Sequence, residues 1–240
     1  MPPKAKAAAA PIVSIVVPVW RLSEDRQATW GFTRAQWEAL HPTYEIVEGG
    51  SDLDVFRKGV CVADGVARAR GDIIVVADAD VCCDGLPAAV EAVLAGAGWA
   101  MPHHRVLRLS PGATLEAVQS GHLPQVRTAS TYMQRPYVGV PGGGIVVLHR
   151  DTYARAPIDP RFAGWGQEDE AWAVALTTLV GQPRRGVADL YHLWHAPQAR
   201  MSRTVGSTAS RILLQRYRGV RSSPRNMAAL VAEAAPVGAA

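Results

Sequence analysis

The chain is predicted to form an α/β domain in which helices cover both faces of a mostly parallel central sheet. Three short runs rich in β-branched residues, at 12–17, 44–48 and 73–77, alternate with two segments whose apolar residues recur at helical spacing. Strands that are apolar along their whole length are typical of parallel sheets buried on both faces. With 240 residues, 48% of them hydrophobic, the chain is large enough to build one such core.

The remaining elements are predicted from the same patterns. Residues 1–10, rich in Ala, Lys and Pro, are expected to be disordered because they have little to bury. A helix is expected at 23–40, and Ser51 or Asp52 is expected to cap a second helix that runs to about residue 70. Further helices are predicted at 86–94, at 113–120 and directly after residue 167, and further strands at 99–101, 145–148 and 187–191.

Two acidic residues, Asp78 and Asp80, follow directly on the third predicted strand. Ligands of open α/β sheets bind beyond the carboxyl ends of the strands, so these carboxylates are expected at the binding edge. Two carboxylates one residue apart can hold a divalent cation that in turn binds a diphosphate. Because Asp-x-Asp is a common sequence, a loop in which aspartate has a structural role is the alternative.

The stretch RFAGWGQEDEAWAVALTTL at 161–179 joins a glycine-rich turn to an acidic helix start. Trp165 lies between two glycines, which allow a tight turn, and the acids at 168–170 fall where the helix dipole favours negative charge. Glu168 and Asp169 are therefore candidates for a general base that deprotonates an acceptor hydroxyl. The alternative is a capped helix beside a buried tryptophan.

His192 and His195 flank Trp194 at the end of the last predicted strand. Imidazole and carboxylate together suit Mn²⁺ and similar ions. One of the two histidines is therefore predicted to join the aspartate pair as a metal ligand. A purely structural role is the alternative for either histidine.

Charge and cysteine content bear on partners and location. Residues 198–240 hold seven arginines and one acid, a net charge of +6, whereas residues 1–197 carry −2. No apolar run is long enough to span a bilayer, and no signal peptide is recognisable. The three cysteines, without metal-type spacing, argue against a disulfide framework and against zinc. We therefore expect a soluble, cytoplasmic protein.

The basic segment itself suggests a partner. Arg211, Arg218 and Arg225 recur every seven residues, and the apolar residues among them predict one helix that docks on the domain and leaves a basic stripe outward. Clustered arginine indicates contact with phosphate, in nucleic acid, a lipid surface or a diphosphate. A solvated helix face is the alternative.

Taken together, these motifs resemble the GT-A glycosyltransferases. VSIVVPVW, EGGSD and GVARARGDIIVVADADV are similar to the nucleotide-sugar-binding half of the family-2 type. PGGGIVVLHRDTY and IDPRFAGWGQEDEAWAVAL are similar to the C-terminal module of the β-1,4-galactosyltransferases and the polypeptide GalNAc-transferases. The resemblance covers residues 12–197 and implies a GT-A fold.

The resemblance also implies roles for the matching residues. Asp80 would be a direct ligand of Mn²⁺, with Mg²⁺ as the alternative ion, Asp78 would face the ribose or the metal, and His195 or, in its place, His192 would be a further ligand. Asp169 would be the base, and Glu168 would bind the acceptor or the donor sugar. The residues implied to hold the nucleotide-sugar are Pro18, Val19, Glu48, Asp52, Asp78 and Ala79. Those implied to bind the acceptor are Trp165, which would stack on a sugar ring, Gly143, Gly144 and Gly166.

The implied reaction is metal-dependent, inverting transfer of a sugar from a UDP-sugar to the hydroxyl of a saccharide or other acceptor. The alternatives are a retaining transferase, transfer to hydroxylated bases of DNA, a metal-dependent nucleotidyltransferase or diphosphate hydrolase, and a non-catalytic sugar-binding module. The implied organisation is a tail at 1–10, a catalytic domain at 11–197 and a basic helical extension at 198–240. Within the domain, 11–102 would bind the nucleotide-sugar and 103–197 the acceptor.

Overall fold

The computed structural model describes residues 12–123, 142–196 and 206–234. These residues contain seven strands. They are β1 (Val13–Pro18), β2 (Glu45–Gly49), β3 (Ile73–Ala77), β4 (Val81–Cys82), β5 (Trp99–Arg108), β6 (Ile145–His149) and β7 (Arg184–His192). The expected disordered tail at 1–10 and the arginines at 200 and 203 lie outside the described residues.

The strands form one sheet with the order β2-β1-β3-β6-β5-β7-β4. β1 is parallel to β2 and β3, and β5 is parallel to β7. β6 is antiparallel to β3 and β5, and β4 is antiparallel to β7. Five of the seven described strands therefore run in one direction, which confirms the predicted α/β class, and the two reversed strands make the sheet mixed.

Helices cover both faces of this sheet, as predicted. They are α1 (Glu24–Leu40), α2 (Lys58–Arg68), α3 (Leu86–Leu94), α4 (Pro111–Ser120), α5 (Arg150–Arg155), α6 (Glu168–Val180), α7 (Gly206–Gly219) and α8 (Pro224–Ala232). α1 and α3 pack on one face with Ile15 and Val17, while α2, α5 and α6 pack on the other with Val16. Successive residues of β1 are buried on opposite faces, which explains its uninterrupted apolar sequence. Over the described residues, no helix combines the length and apolarity needed to cross a membrane.

The second helix begins later than predicted. Its N-cap is Arg57, so the expectation that Ser51 or Asp52 caps it is wrong. The intervening residues form a loop, in which the Leu53 carbonyl oxygen accepts a hydrogen bond from Trp20 Nε1 at 2.8 Å. This loop is tied to the residues that follow β1, which keeps it out of the helix.

The fifth strand is longer than the sequence indicates. β5 continues through Pro102 to Arg108, although proline usually ends a strand because it lacks an N–H. An irregularity in the pairing with β7 between Met101 and His103 accommodates the proline. The boundary implied between residues 102 and 103 therefore falls inside a continuous strand.

Two short helices follow the sheet, so the expected single helix from Arg211 to Arg225 is wrong. α7 ends at Gly219, and α8 starts at Pro224 with Ser223 as its N-cap. Proline is favoured in the first turn of a helix and cannot continue a preceding one without loss of a hydrogen bond. Both helices pack on α6. The contact joins Phe162, Ala171 and Ala175 to Leu213, Leu214, Tyr217, Met227 and Leu230.

Candidate active site

A short strand that the sequence did not predict brings the acidic motif and the histidines together. β4 begins at Val81, directly after Asp80, and pairs with the end of β7, where Val81 lies opposite His192. Leu193 then donates its backbone N–H to the Asp80 carbonyl oxygen at 2.8 Å. This pairing holds the residues after β7 against the loop after β3, so His192 and His195 both lie near the Asp80 carboxylate.

Asp80, His192 and His195 form a compact set of donor atoms. His195 Nε2 lies 3.1 Å from Asp80 Oδ2, and His192 Nε2 lies 3.9 Å from Asp80 Oδ1. One donor atom from each residue lies within 4.8 Å of the others, close enough for an ion with bond lengths of about 2.0–2.4 Å. Among the described residues, buried Asp80 Oδ1 has no hydrogen-bond partner. Carboxylate and imidazole are both common ligands of divalent metal ions, so these residues fit a divalent metal ion.

Burial and neighbouring charges shift the pKa values of Asp80 and His195 in opposite directions. Burial raises the pKa of Asp80, but His192, His195 and Arg26 outweigh it and bring that pKa well below its ordinary value. For His195, burial lowers the pKa, and the hydrogen bond and charge of Asp80 raise it above its ordinary value. Asp80 is therefore ionised, as a carboxylate metal ligand must be.

A second group of charged side chains centres on Lys58. Lys58 Nζ donates to Asp78 Oδ1 and to Asp169 Oδ1, both at 2.7 Å, from a side chain that is 5% exposed. Asp78 Oδ2 accepts from the backbone N–H of Gly144 at 3.2 Å. Both oxygens of Asp78 therefore have partners, and Lys58 joins the end of β3 to the start of α6.

The carboxyl groups around Lys58 shift one another's pKa. Burial raises the pKa of Glu168 to about 8, Asp169 raises it as well, and Lys58 opposes this. Burial also raises the pKa of Asp169 against the opposing charge of Lys58, and Asp78 adds to the rise. Burial lowers the pKa of Lys58, but the three acids outweigh it and raise that pKa. Lys58 is therefore charged, and Glu168 holds a proton near neutral pH.

The backbone before α6 sets the different exposure of the two neighbouring acids. Gln167, the N-cap, has a φ of 74°, and Gly166 has a φ of 98°. Gly142 passes so close that a Cβ would lie 2.3 Å from the Asp169 carbonyl oxygen, so no larger residue fits there. The resulting turn leaves the Asp169 side chain 30% exposed, whereas Glu168 is buried.

Trp165 lies at the surface on a group of aromatic rings. It is 42% exposed and stacks on Phe56 with a centroid distance of 4.3 Å. Trp20, just after β1, lies 6.3 Å from Trp165. The alternative of a buried Trp165 is therefore wrong. An exposed indole supported from behind by another ring is a surface on which a sugar ring can stack.

The residues implied to hold the nucleotide-sugar lie at the carboxyl ends of three neighbouring strands. They are Pro18 and Val19 at β1, Glu48 and Asp52 at and after β2, and Asp78 and Ala79 after β3. Glu48 Oε1 accepts from Trp30 Nε1 at 3.1 Å and from Arg34 Nη1 at 2.7 Å. Asp52 is exposed. The set therefore shares one edge of the sheet, with Glu48 held by α1.

The glycines implied to bind the acceptor divide between two places. Gly143 and Gly144 precede β6, and Gly144 forms a second hydrogen bond to Asp78, whose N–H donates to the Gly144 carbonyl oxygen at 2.9 Å. Gly166 lies beside Trp165 in the turn before α6, and a Cβ there would meet no other atom within 4 Å. Gly144 therefore positions Asp78, and only Gly166 adjoins the exposed aromatic surface.

Lys58 and Arg26 lie within this region, and the sequence did not predict either. Lys58 is the only lysine after residue 6 in a chain that otherwise uses arginine, a signal that sequence analysis could have used. Arg26 Nη2 lies 3.0 Å from His195 Nδ1 and 3.1 Å from His195 Nε2. For Arg26, nothing in the local sequence distinguishes it from the other arginines of the chain.

The C-terminal arginines are partly neutralised by acids. Arg216 pairs with Glu233 at 2.7 Å, and Arg218 pairs with Glu170 at 2.5 Å. Arg221 and Arg225 are exposed. Arg216 and Arg218 are therefore paired with acids of the protein, which reduces the free positive charge of the predicted stripe.

The mixed sheet with helices on both faces, and the acidic residues at the carboxyl ends of its strands, correspond to the GT-A fold that the sequence motifs imply. No family model and no curated protein matches the sequence. Among solved structures, the chain is similar to GalNAc-T7 with UDP, GalNAc and Mn²⁺, at a TM-score of 0.56 and 8% identity, over 93% of this chain and 55% of that one. It is also similar to glucosyl-3-phosphoglycerate synthase from Mycobacterium tuberculosis in complex with Mn²⁺, UDP and glucosyl-3-phosphoglycerate. That match has a TM-score of 0.47 and 15% identity, over 88% of this chain and 80% of that one. The likeness to GalNAc-T7, at this identity, supports the fold alone.

Proposed function

We propose that the protein is a metal-dependent, inverting glycosyltransferase that moves a sugar from a UDP-sugar to an acceptor hydroxyl. The observation that carries this proposal is the cluster of Asp80, His192 and His195 next to the group formed by Lys58 and its acids, on one edge of the sheet. The first group fits a cation, and the second provides carboxylates. Similarity in fold to GalNAc-T7, whose structure contains UDP and Mn²⁺, supports the choice of donor.

In this proposal, Asp80 and the two histidines hold Mn²⁺, with Mg²⁺ as the alternative. The bound ion would neutralise the charge of the leaving diphosphate. Asp78 has both oxygens occupied by Lys58 and Gly144, which favours a role in shaping the donor site over direct coordination. Asp80 Oδ1, buried and without a partner among the described residues, supports Asp80 as the direct ligand.

Asp169 acts as the general base. Its side chain is 30% exposed, so it can reach an acceptor hydroxyl, whereas Glu168 is buried. In an inverting transfer, Asp169 takes the hydroxyl proton while the hydroxyl oxygen attacks the anomeric carbon and the bond to the diphosphate breaks. Glu168, protonated near neutral pH, would donate a hydrogen bond only to a sugar hydroxyl that reaches its buried Oε2, which has no partner among the described residues.

The nucleotide would lie against the ends of β1, β2 and β3, at Pro18, Val19, Glu48, Asp52 and Ala79. The acceptor would stack on Trp165 beside Gly166, and Gly143 and Gly144 would shape the floor between the two substrates. A saccharide acceptor is proposed on the basis of the exposed aromatic surface. All three cysteines are buried free thiols, which supports a reducing, cytoplasmic location.

The test is a UDP-release assay of the full-length protein with a panel of UDP-sugars, with and without Mn²⁺. We expect Mn²⁺-dependent release and a product with inverted anomeric configuration by NMR. A product with retained anomeric configuration would still identify a glycosyltransferase, but it would contradict the role of Asp169 as the base. Cleavage between the phosphates, or release of UMP, would instead identify a diphosphate hydrolase or nucleotidyltransferase. Binding of sugar without turnover would identify a binding module.

Variants of the metal group refine this test. Asp80→Ala and His195→Ala are each expected to lower Mn²⁺-dependent UDP binding by at least tenfold in calorimetry, because each removes one of few ligands. His122→Ala, an exposed histidine after α4, is the matched control and is expected to bind as wild type does. UDP affinity unchanged in both site variants would contradict the assignment.

Transfer to DNA bases has a separate test, because the arginine pairing weakens its basis. Non-specific DNA binding depends on free cationic side chains and falls with salt. We expect the replacement of both exposed Arg221 and Arg225 by glutamine to leave the binding of duplex DNA unchanged at low and at high salt. Salt-sensitive DNA binding that requires these two arginines would restore the nucleic-acid acceptor.

A further inference from the structure

Arg26 lies in the first turn of α1 and reaches into the proposed metal site. Its side chain is 9% exposed, and its Nη2 lies 3.0 Å from Nδ1 and 3.1 Å from Nε2 of His195. The contact is fixed by the neighbouring residue, since Asp25 Oδ2 accepts from the Ala196 backbone N–H at 2.7 Å. The guanidinium is therefore held against the imidazole of His195, whose Nε2 also contacts Asp80 Oδ2.

The surroundings of this guanidinium are incomplete. Within residues 12–123, 142–196 and 206–234, Arg26 forms no ion pair with a carboxylate, and its buried Nε has no hydrogen-bond partner. A buried cation without an anionic partner is costly. The positive charge of Arg26 acts on Asp80, which contacts the same Nε2 of His195, and helps to lower the pKa of Asp80.

We infer that Arg26 takes the place of the cation when no metal is bound, and that the diphosphate of the donor draws it away, so that metal and donor bind together. This inference rests on the proposed function. In it, Arg26 couples the binding of the metal ion to the binding of the donor, a role that neither the acidic motif nor the histidines supply.

Electrostatics gives the direction of each step. A divalent ion on Asp80 and His195 would lie a few ångströms from the guanidinium, and like charges at that separation repel strongly in a site shielded from water. Arg26 also lies at hydrogen-bond distance from His195 Nε2, so the guanidinium and a metal ion would compete for this nitrogen. A diphosphate offers Arg26 the anionic partner that the described residues lack, because a guanidinium matches phosphate oxygens with two parallel hydrogen bonds.

A movement of Arg26 would also affect the acceptor side. Its Cζ lies 5.4 Å from the centroid of the Trp165 ring, close enough for a cation–π interaction. When the guanidinium turns towards a diphosphate, this contact is lost and more of the Trp165 ring becomes accessible. Arg26 thus links the metal site to the exposed aromatic surface.

The test measures Mn²⁺ binding directly, by the EPR signal of free Mn²⁺, for full-length protein with and without UDP. Arg26→Gln and Arg26→Met both remove the charge, and the second keeps an apolar stem against Trp165. Without UDP, we expect both variants to bind Mn²⁺ at least tenfold more tightly than wild type. The factor by which UDP tightens Mn²⁺ binding is expected to fall by a similar amount, because the two ligands are thermodynamically linked.

Two controls separate charge from structure. Arg26→Lys keeps the charge and is expected to bind Mn²⁺ as weakly as wild type without UDP. Arg70→Gln removes one exposed positive charge that pairs with Glu45 away from the site and is expected to behave as wild type. Neutral variants that bind Mn²⁺ without UDP no more tightly than wild type would overturn the role of Arg26, while the metal site would stand. Absence of Mn²⁺ binding by wild type, even with UDP, would overturn the metal site and this inference together.

Discussion

Lys58 Nζ lies 2.7 Å from Asp169 Oδ1, the carboxylate proposed as the base, and 2.7 Å from Asp78 Oδ1. One buried cation therefore connects the acidic motif after β3 with the acids that begin α6. Carboxyl groups this close together repel one another, and Lys58 offsets the repulsion by pairing with Asp78 and Asp169. Lys58 is thus a positioning residue: it orients Asp169 and holds down its pKa.

Replacing Lys58 by methionine should reveal this dependence. Without the cation the pKa of Asp169 rises, so the acidic limb of the kcat/KM profile should move to higher pH by about one unit or more. The variant should also lose about 3–5 kcal/mol of stability, the usual result of breaking a buried ion pair on one side. Measurement requires a pH–rate profile and denaturant unfolding. An unmoved acidic limb in a folded variant would restrict Lys58 to a structural role.

The different roles proposed for Asp169 and Glu168 in α6 can be tested by isosteric substitution. Asp169→Asn keeps shape and removes the proton acceptor, so turnover should fall by about 10²–10⁴ while UDP binding stays near wild type. Glu168→Gln keeps a hydrogen-bond donor in the buried position, so we expect turnover to fall by less than about tenfold. The measurement is steady-state kinetics with calorimetry of UDP. The reverse order of effects would move the base role to Glu168.

Glu168 also predicts how stability depends on pH. Its pKa in the folded protein is about 8, against an ordinary value of 4.5, so the folded state binds this proton more tightly than the unfolded chain does. The raised pKa of Glu168 therefore contributes to the free energy of unfolding in full below about pH 4.5. This contribution is lost progressively as the pH rises to 8. Glu168→Gln removes this dependence.

Thermal unfolding at pH 5 and pH 9 should separate the variant from wild type. From pH 5 to pH 9, the free energy of unfolding of wild type should fall by on the order of 2–4 kcal/mol more than that of Glu168→Gln, which corresponds to several degrees in Tm. Glu116→Gln, on the exposed side of α4, is the control. An equal difference between Glu168→Gln and wild type at both pH values would show that Glu168 is already ionised at pH 5.

The sequence predicts those features that depend on local pattern and misses those that depend on tertiary pairing. β1 could be predicted because both of its faces are buried, which imposes an apolar side chain at nearly every position. The acids after β3 and at the start of α6 could be predicted because a strand end and a glycine-rich turn mark them. The start of α2 could not, since the contact of Trp20 with the loop before it is not a local signal. The meeting of Asp80 with His195 required β4, a strand of two residues.

The loop that carries Trp165 is held by α7, and this gives the last prediction. Tyr217 donates its hydroxyl hydrogen to Asp159 Oδ2 at 2.8 Å, and both residues are buried. On the same helix, Ser210 Oγ contacts the backbone N–H of Ala163 at 3.4 Å. α7 therefore fixes the chain just before the Gly-Trp-Gly turn, a role that is independent of the charge of its arginines.

Tyr217→Phe removes the hydroxyl and keeps the ring that packs on Phe162. A hydrogen bond to a charged group contributes about 1.5–3 kcal/mol, and Asp159 keeps Arg161 as a partner, so we expect a loss near the lower end of that range. Because the loop is loosened and the metal group is not touched, KM for the acceptor should rise at least about twofold while Mn²⁺-dependent UDP binding is unchanged. Arg225→Gln, exposed on α8, is the control and should change neither quantity. Stability and acceptor KM equal to wild type in Tyr217→Phe would show that α7 does not position the Trp165 loop through this contact.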